Sequence, residues 1–260
     1  MGAYVDIGGH PTWVDDRGEN GEPLLLLHGG MSNSDVILES LGPGLEERFH
    51  VVAFDRRGHG RTADTDADFH YSDMATETIR VLQEVIGGPA NLVGWSDGGI
   101  VSLLVAIARP DLVRRLVVIG SNYHVDGIVP FEPGQESSMG EALASAYAER
   151  SPDGPEHFDV IFRKFMAMTR SEPTLTTDDI ARVEPPCLVM AGDDDMVLLP
   201  HTCSLFEALP RGQLAVVPAT SHALPLERPG VVVELVVDFL TGEEPPRTLL
   251  PIRRARPVSA

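Results

Sequence analysis

Six short apolar runs constrain this chain more than any other feature. They are "PLLLLHGG", "HVVAFDRRGHG", "ANLVGWS", "VRRLVVIG", "PCLVMAGDDD" and "GQLAVVP". Each is uninterrupted, and each ends in a glycine-rich or polar stretch. A run with no polar alternation suits a strand buried on both faces of a sheet. Between the runs lie helix-like segments, at 72–86, 98–109, 201–209 and 229–240. Ser72 is the expected cap of the first, and Pro229 suits the first turn of the last. Upstream, "YVDIGGHPTWVDDRG" reads as a hairpin. Strands alternating with helices predict a mostly parallel sheet covered by helices on both faces, an α/β fold.

From about 122 to 184 the rhythm breaks. No strong strand run occurs there, and two helix-like pieces appear, "EALASAYAER" and "HFDVIFRKFMAMT". This segment reads as a helical insertion. Residues 1–121 and 185–241 then form the body of the fold. Residues 242–260, with Pro and a basic cluster, read as a loosely ordered tail.

Charge limits the partners. The chain carries 39 acids against 20 bases, a net charge of −19. Nucleic acid is excluded, because phosphate contacts need Lys and Arg. Anionic membrane surfaces are disfavoured for the same reason, and no apolar run is long enough to span a bilayer. Two cysteines, Cys187 and Cys203, match no metal spacing and suit a reducing compartment. The first residues lack a signal-peptide pattern. A cytoplasmic protein is expected.

The chemistry lies in "NLVGWSDGGIV". Ser96 stands between Gly94 and Gly98, after a strand-like run and before a helix-like one. The pattern G-x-S-x-G acquires meaning in that context. A serine on a tight strand-to-helix turn needs glycines two positions away, because the chain crowds itself there. Its hydroxyl then stands exposed at a helix N-terminus, where developing negative charge is favoured. Such a serine needs a base, and the base needs an orienting acid. With strands in this order, both should follow the serine. "AGDDDMV" puts Asp193, Asp194 and Asp195 at the end of one apolar run, and "SHALPLERP" puts His222 after the last. Of the nine histidines, only His222 has the required place in chain order. The glycines of "LLLLHGGMSNS" offer backbone N–H groups for an oxyanion, together with the N–H of Asp97.

These landmarks, running in order from 24 to 229, resemble the α/β-hydrolase superfamily. The resemblance implies an eight-stranded, mostly parallel sheet with a helical cap inserted after the sixth strand. It implies a triad of Ser96, Asp195 and His222, with Asp194 as the alternative acid. It places oxyanion donors at Gly30, with Met31 beside it, and at Asp97. It requires no cofactor or metal. Related epoxide hydrolases and haloalkane dehalogenases carry aspartate at the nucleophile, so serine here argues for acyl chemistry on a small-molecule ester, thioester or lactone. Carbon–carbon bond hydrolysis and cofactor-free perhydrolysis use the same triad, and a non-catalytic ligand sensor on the same fold is a further alternative.

The elbow "GWSDGG" also resembles that of valacyclovir hydrolase-like enzymes, which cleave amino-acid esters. That likeness implies a substrate ammonium at Asp97. The residues alone also allow Asp97 to cap the following helix. Trp95, Phe162 and Met166 are candidates for the substrate pocket.

Overall fold

Leu24, Leu25, Leu26 and Leu27 are all fully buried. Successive side chains of a strand point to opposite faces, so this run must be covered on both sides. In the computed structural model it is the strand β3 (Glu22–Leu27) of an eight-stranded sheet. The structure describes residues 2–18, 21–129, 135–244, 246 and 248–251. The other strands are β1 (Gly2–Ile7), β2 (His10–Arg17), β4 (Phe49–Phe54), β5 (Ala90–Trp95), β6 (Val113–Ile119), β7 (Cys187–Asp194) and β8 (Gly212–Ser221). Their order is β1-β2-β4-β3-β5-β6-β7-β8. The hairpin β1–β2 joins β4 antiparallel; every pair from β4 to β8 is parallel.

The helices, in chain order, are α1 (Ser34–Leu45), α2 (Tyr71–Arg80), α3 (Asp97–Ala108), α4 (Gln135–Ala148), α5 (Phe158–Thr169), α6 (Thr177–Ile180), α7 (Leu199–Ala208), α8 (Leu224–Glu227) and α9 (Pro229–Thr241). One sheet face packs Leu24 and Leu26 with Ile37, Leu38 and Leu41 of α1 and Val232, Val236 and Phe239 of α9. The other packs Leu25 and Leu27 with Ile100 and Val101 of α3 and Leu205 of α7. Burial of each such side chain contributes roughly 1.5–3 kcal/mol.

β3 has β4 on one side and β5 on the other. The chain therefore reverses its direction of winding at β3. The crevice between the carboxyl ends of β3 and β5 is where ligands of open parallel sheets bind.

Four local features differ from the sequence reading. Helix α1 lies in a stretch where Gly42, Pro43 and Gly44 conceal helical periodicity. Asn33 caps it, accepting from the Val36 N–H, and Asp55 accepts from the Ser34 N–H at 2.7 Å. Ser72 is not a cap, because α2 already begins at Tyr71. The free Tyr71 N–H instead donates to Glu172 Oε2 at 3.0 Å, a cap supplied from a distant part of the chain. The stretch 72–86 is also not one α-helix, since Val81–Ile86 winds as a π-helix before Gly87 in the left-handed region. Finally, α6 packs on α3 and α7 of the main body. The basic cluster of the tail, at 253–256, lies outside the described residues. Among the described residues no helix is long and apolar enough to cross a membrane.

The helical segment between β6 and β7 is tied down by ion pairs as well as by apolar packing. Arg150 pairs with Asp35 of α1 at 2.9 Å. Lys164 of α5 and His157 both reach Asp64, at 2.8 and 2.9 Å. Glu172 meets His70 at 2.6 Å. Asp64 is the most enclosed of these acids. Desolvation raises its pKa, but the hydrogen bonds from Lys164 and His157 outweigh it, and the net shift is downward.

Replacing Lys164 with Met tests this anchor. The Lys164 and Asp64 side chains are 10% and 4% exposed. Breaking such a pair while His157 remains should cost about 2–3 kcal/mol, a fall of about 5–10 °C in Tm. A carboxyl held below its ordinary pKa stabilises the fold above pH ~4 and loses that contribution as pH falls through its folded value. Differential scanning calorimetry should therefore show the wild-type advantage at pH 7 shrinking below pH ~4. An equal advantage at every pH would contradict the ion-pair account.

Candidate active site

Ser96 sits between the last residue of β5 and the first of α3, at φ 55° and ψ −121°. A non-glycine residue rarely takes a positive φ, and holding it there costs roughly 1–3 kcal/mol. The surroundings enforce it. The Ser96 N–H donates to the Ile119 carbonyl at 2.8 Å, and the Ser96 carbonyl accepts from Gly99 N–H, Ile100 N–H and Ser121 Oγ. The two glycines of the pattern are steric requirements. A Cβ on Gly94 would stand 2.3 Å from the Gly98 carbonyl oxygen, and one on Gly98 would stand 2.2 Å from that of Leu27.

The Ser96 hydroxyl lies 2.9 Å from His222 Nε2, and His222 Nδ1 lies 2.8 Å from Asp195 Oδ1. An ionised carboxylate only accepts, so Nδ1 carries the proton. Nε2 of the neutral ring is then free to accept from the serine hydroxyl. Asp195 is 1% exposed in its side chain and also accepts from the Val197 N–H at 3.0 Å. Its neighbours face elsewhere. Asp193 accepts from the Thr220 N–H, and Asp194 pairs in register with Ser221 with its side chain in solvent. Of the three aspartates, the structure brings Asp195 to His222.

The loop after β3 lies against this relay. A Cβ on Gly29 would touch Ser96 Cβ at 3.3 Å, and Gly30 lines the cavity beside Ser96. Among the described residues nothing accepts from the N–H of Gly30 or of Asp97. Met31, in the left-handed region at φ 52°, is buried and faces a small separate pocket next to Asn33 and His59.

The cavity has a volume of about 610 Å³. Ser96, Asp97 and His222 form part of its wall. Leu143 of α4 and Phe165, Met166 and Thr169 of α5 form another part, and Asp126, Arg170 and Glu172 add charged groups. Met166, a pocket candidate from the sequence, is among the residues lining this cavity. Trp95 and Phe162 do not line the cavity. Trp95 turns its indole N–H to the His222 carbonyl at 2.9 Å, supporting the base from behind. Phe162 stacks on Phe158, with ring centroids 5.6 Å apart.

Asp97 is the unusual group. It is 5% exposed, and its Oδ1 accepts the Tyr71 hydroxyl at 2.9 Å. It stands in the first turn of α3, where an acid meets the helix dipole, and its side-chain hydrogen bond goes across the cavity wall to α2. Oδ2 has no partner among the described residues and stands beside Gly30. Burial raises the Asp97 pKa; the Arg56 charge and the Tyr71 hydroxyl restrain the rise without cancelling it. Sequence reasoning missed Tyr71, Glu172 and Arg56, since none belongs to a chemical motif and each reaches the site only through folding.

Comparison with known proteins follows the same lines. Residues 24–235 match the model described as the alpha/beta hydrolase family. A protein of a Caulobacter species described as a putative carbamate hydrolase is 28% identical, covering 93% of this chain and 97% of its own. The human protein described as serine hydrolase BPHL is 26% identical, with 92% and 86% covered. Among solved structures, a serine hydrolase involved in carbazole degradation superposes with a TM-score of 0.80 at 22% identity, covering 93% of this chain and 98% of that one. A meta-cleavage product hydrolase from Pseudomonas fluorescens gives 0.73, also at 22% identity, covering 92% and 97%. The chain belongs to the alpha/beta hydrolase family.

Proposed function

We propose that this member of the family is a serine hydrolase that cleaves small to medium carboxylic esters and related acyl compounds through an acyl-Ser96 intermediate. The observation that carries the reading is the continuous relay from Ser96 Oγ through His222 to Asp195, at 2.9 and 2.8 Å, opening on a 610 Å³ cavity. His222 Nε2 takes the hydroxyl proton as Ser96 Oγ attacks the acyl carbon. The carbonyl becomes an oxyanion facing the N–H groups of Gly30 and Asp97. Loss of one such donor typically costs about 10²–10³ in rate. As the tetrahedral species collapses, His222 gives its proton to the leaving alcohol. It then removes a proton from water, whose oxygen attacks the acyl carbon, and the acid departs as Ser96 recovers its proton. Asp195 holds the imidazole in the Nδ1–H form and stabilises it when charged.

A finer feature of this reading is an acyl group that carries an amine. Asp97 supports it, because its Oδ2 is buried, unpartnered among the described residues and beside the oxyanion loop. An ammonium there would satisfy a group that is otherwise costly to bury. The likeness to the carbamate hydrolase also makes carbamates a natural comparison in any substrate survey.

A chromogenic panel of esters, thioesters and carbamates, run with active-site variants, tests the chemistry. Ser96→Ala should lose at least about 10⁴-fold in kcat, and Asp195→Asn about 10⁴-fold. Asp194→Asn should stay within about twofold of wild type, since its side chain is in solvent. Full activity in Ser96→Ala would overturn the reading.

The amine preference is tested by matched esters with and without an α-amino group. Asp97→Asn should reduce kcat/KM for the amino ester about 10–100-fold more than for its partner, the worth of a charged hydrogen bond. The preference needs an ionised Asp97 and a protonated amine. It should fade as pH falls towards the raised Asp97 pKa, above the ordinary carboxylate range, and again as pH rises past the amine pKa near ~8. Equal losses on both esters would dismiss the amine and leave the hydrolase standing.

A further inference from the structure

Arg56 is fully buried, at 0% exposure, just after β4. Burying a guanidinium is expensive unless its donors and charge are met. Among the described residues no carboxylate lies within ion-pair distance of it. Its Nη donors go to one place, the loop after β3, while Nε has no partner among the described residues. Nη1 donates to the His28 carbonyl at 2.6 Å, and Nη2 donates to the Gly29 carbonyl at 3.0 Å. The Arg56 backbone N–H donates to His28 Nε2 at 3.2 Å. Nε2 must then be the unprotonated nitrogen, and Nδ1–H of the neutral ring donates to the Gly29 carbonyl at 2.7 Å. Burial, with Arg56 second, holds His28 well below its ordinary pKa, in keeping with that neutral ring.

We infer that Arg56 is a positioning residue for acyl transfer, clamping the His28 and Gly29 carbonyls so that the Gly30 N–H is turned towards the oxyanion. The inference rests on Ser96 being the nucleophile. The geometric step is short. Among the described residues the single cis peptide is Glu172–Pro173, so the Gly29–Gly30 bond is trans. In a trans peptide the C=O and the following N–H point in opposite directions. With the Gly29 carbonyl fixed on Arg56, the Gly30 N–H points away from Arg56, on the side where Gly30 lines the cavity with Ser96. The planar fork suits this task, because two donors hold two successive carbonyls at once. A lysine would bring the charge and hold one.

The charge has a second effect. Asp97 is the leading favourable charge acting on Arg56, followed by Glu77. Arg56 therefore supplies both a clamp on the loop and compensation for a buried carboxylate. Those roles separate experimentally. A clamp affects every substrate that forms an oxyanion; compensation of Asp97 affects only substrates that use Asp97.

The test is Arg56→Lys, which keeps the charge and removes the fork, measured on the matched esters and with a trifluoromethyl ketone that forms a tetrahedral adduct with the serine. The expected result is a fall in kcat of about 10–100-fold, part of a full oxyanion donor, with KM within about threefold. Ketone affinity should fall by a similar factor, and both esters should suffer alike. Unchanged kcat and ketone affinity, a loss confined to KM, or a loss confined to the amino ester would overturn it. Should the variant fail to fold, the wild-type ketone adduct decides by crystallography. The oxyanion should lie within hydrogen-bond distance of the Gly30 and Asp97 nitrogens while Arg56 still holds the Gly29 carbonyl. An oxyanion bonded elsewhere, or a released Gly29 carbonyl, would refute the inference. A wild type that hydrolyses no ester and takes no fluorophosphonate label at Ser96 would instead overturn the hydrolase reading beneath it.

Discussion

The backbone of Ser96, at φ 55° and ψ −121°, is the constraint on which the rest of the site depends. The turn brings the hydroxyl out of the sheet and aims it at His222. It also brings α3 so close to β3 and β5 that Gly94 and Gly98 have no room for a side chain. The cost of that conformation is met by hydrogen bonds from β6 and α3 and by a core whose strands are buried on both faces. Because β3 and β5 are adjacent, Ser96 and the loop after β3 emerge side by side without any long-range device.

The second organising feature is charge without water. Arg56, Asp97 and Asp55 are all nearly or fully excluded from solvent. Each spends its hydrogen bonds on a piece of backbone or on a neighbouring side chain. Asp55 accepts from the Ser34 and Arg61 N–H groups, fixing the start of α1 and the loop after β4. Arg56 fixes the loop after β3. Asp97 takes the Tyr71 hydroxyl, and the Tyr71 N–H is in turn held by Glu172 from the far end of the helical insertion. Buried charges so used set geometry more than stability, since apolar residues of similar size would fill the same space at lower cost.

Most of the fold was legible because its signals are local. Unbroken apolar runs, glycines beside a serine, and the order of serine, acid and histidine all survive in a linear string. The mostly parallel α/β sheet followed from them, and the count of eight strands came with the resemblance to the family. What escaped the sequence depends on partners far apart in the chain. The start of α2 is stabilised by Glu172, about a hundred residues away, so Ser72 looked like the better cap. Tyr71 and Arg56 carry no motif; folding gives them their neighbours. Trp95 and Phe162 were misplaced because composition says which residues are aromatic, not which way they point. Trp95 faces the back of His222, and Phe162 sits a turn before the stretch of α5 that meets the cavity.

These separations bear on how specificity arises. The sheet and its flanking helices supply the relay and the loop after β3, whose parts are fixed by backbone hydrogen bonds. The insertion supplies Leu143, Phe165, Met166 and Thr169, side chains attached through ion pairs at Asp35, Asp64 and His70. Residues of the second kind can change without disturbing the chemistry of the first. Asp97 belongs to both groups. Its backbone N–H lies on the turn beside Ser96, while its carboxylate faces the cavity and is held by Tyr71. This charged group shares one wall of the cavity with Ser96 and His222. The segment between β6 and β7 supplies another wall, apolar at Leu143, Phe165 and Met166 and charged at Asp126, Arg170 and Glu172, so different parts of the fold line one cavity.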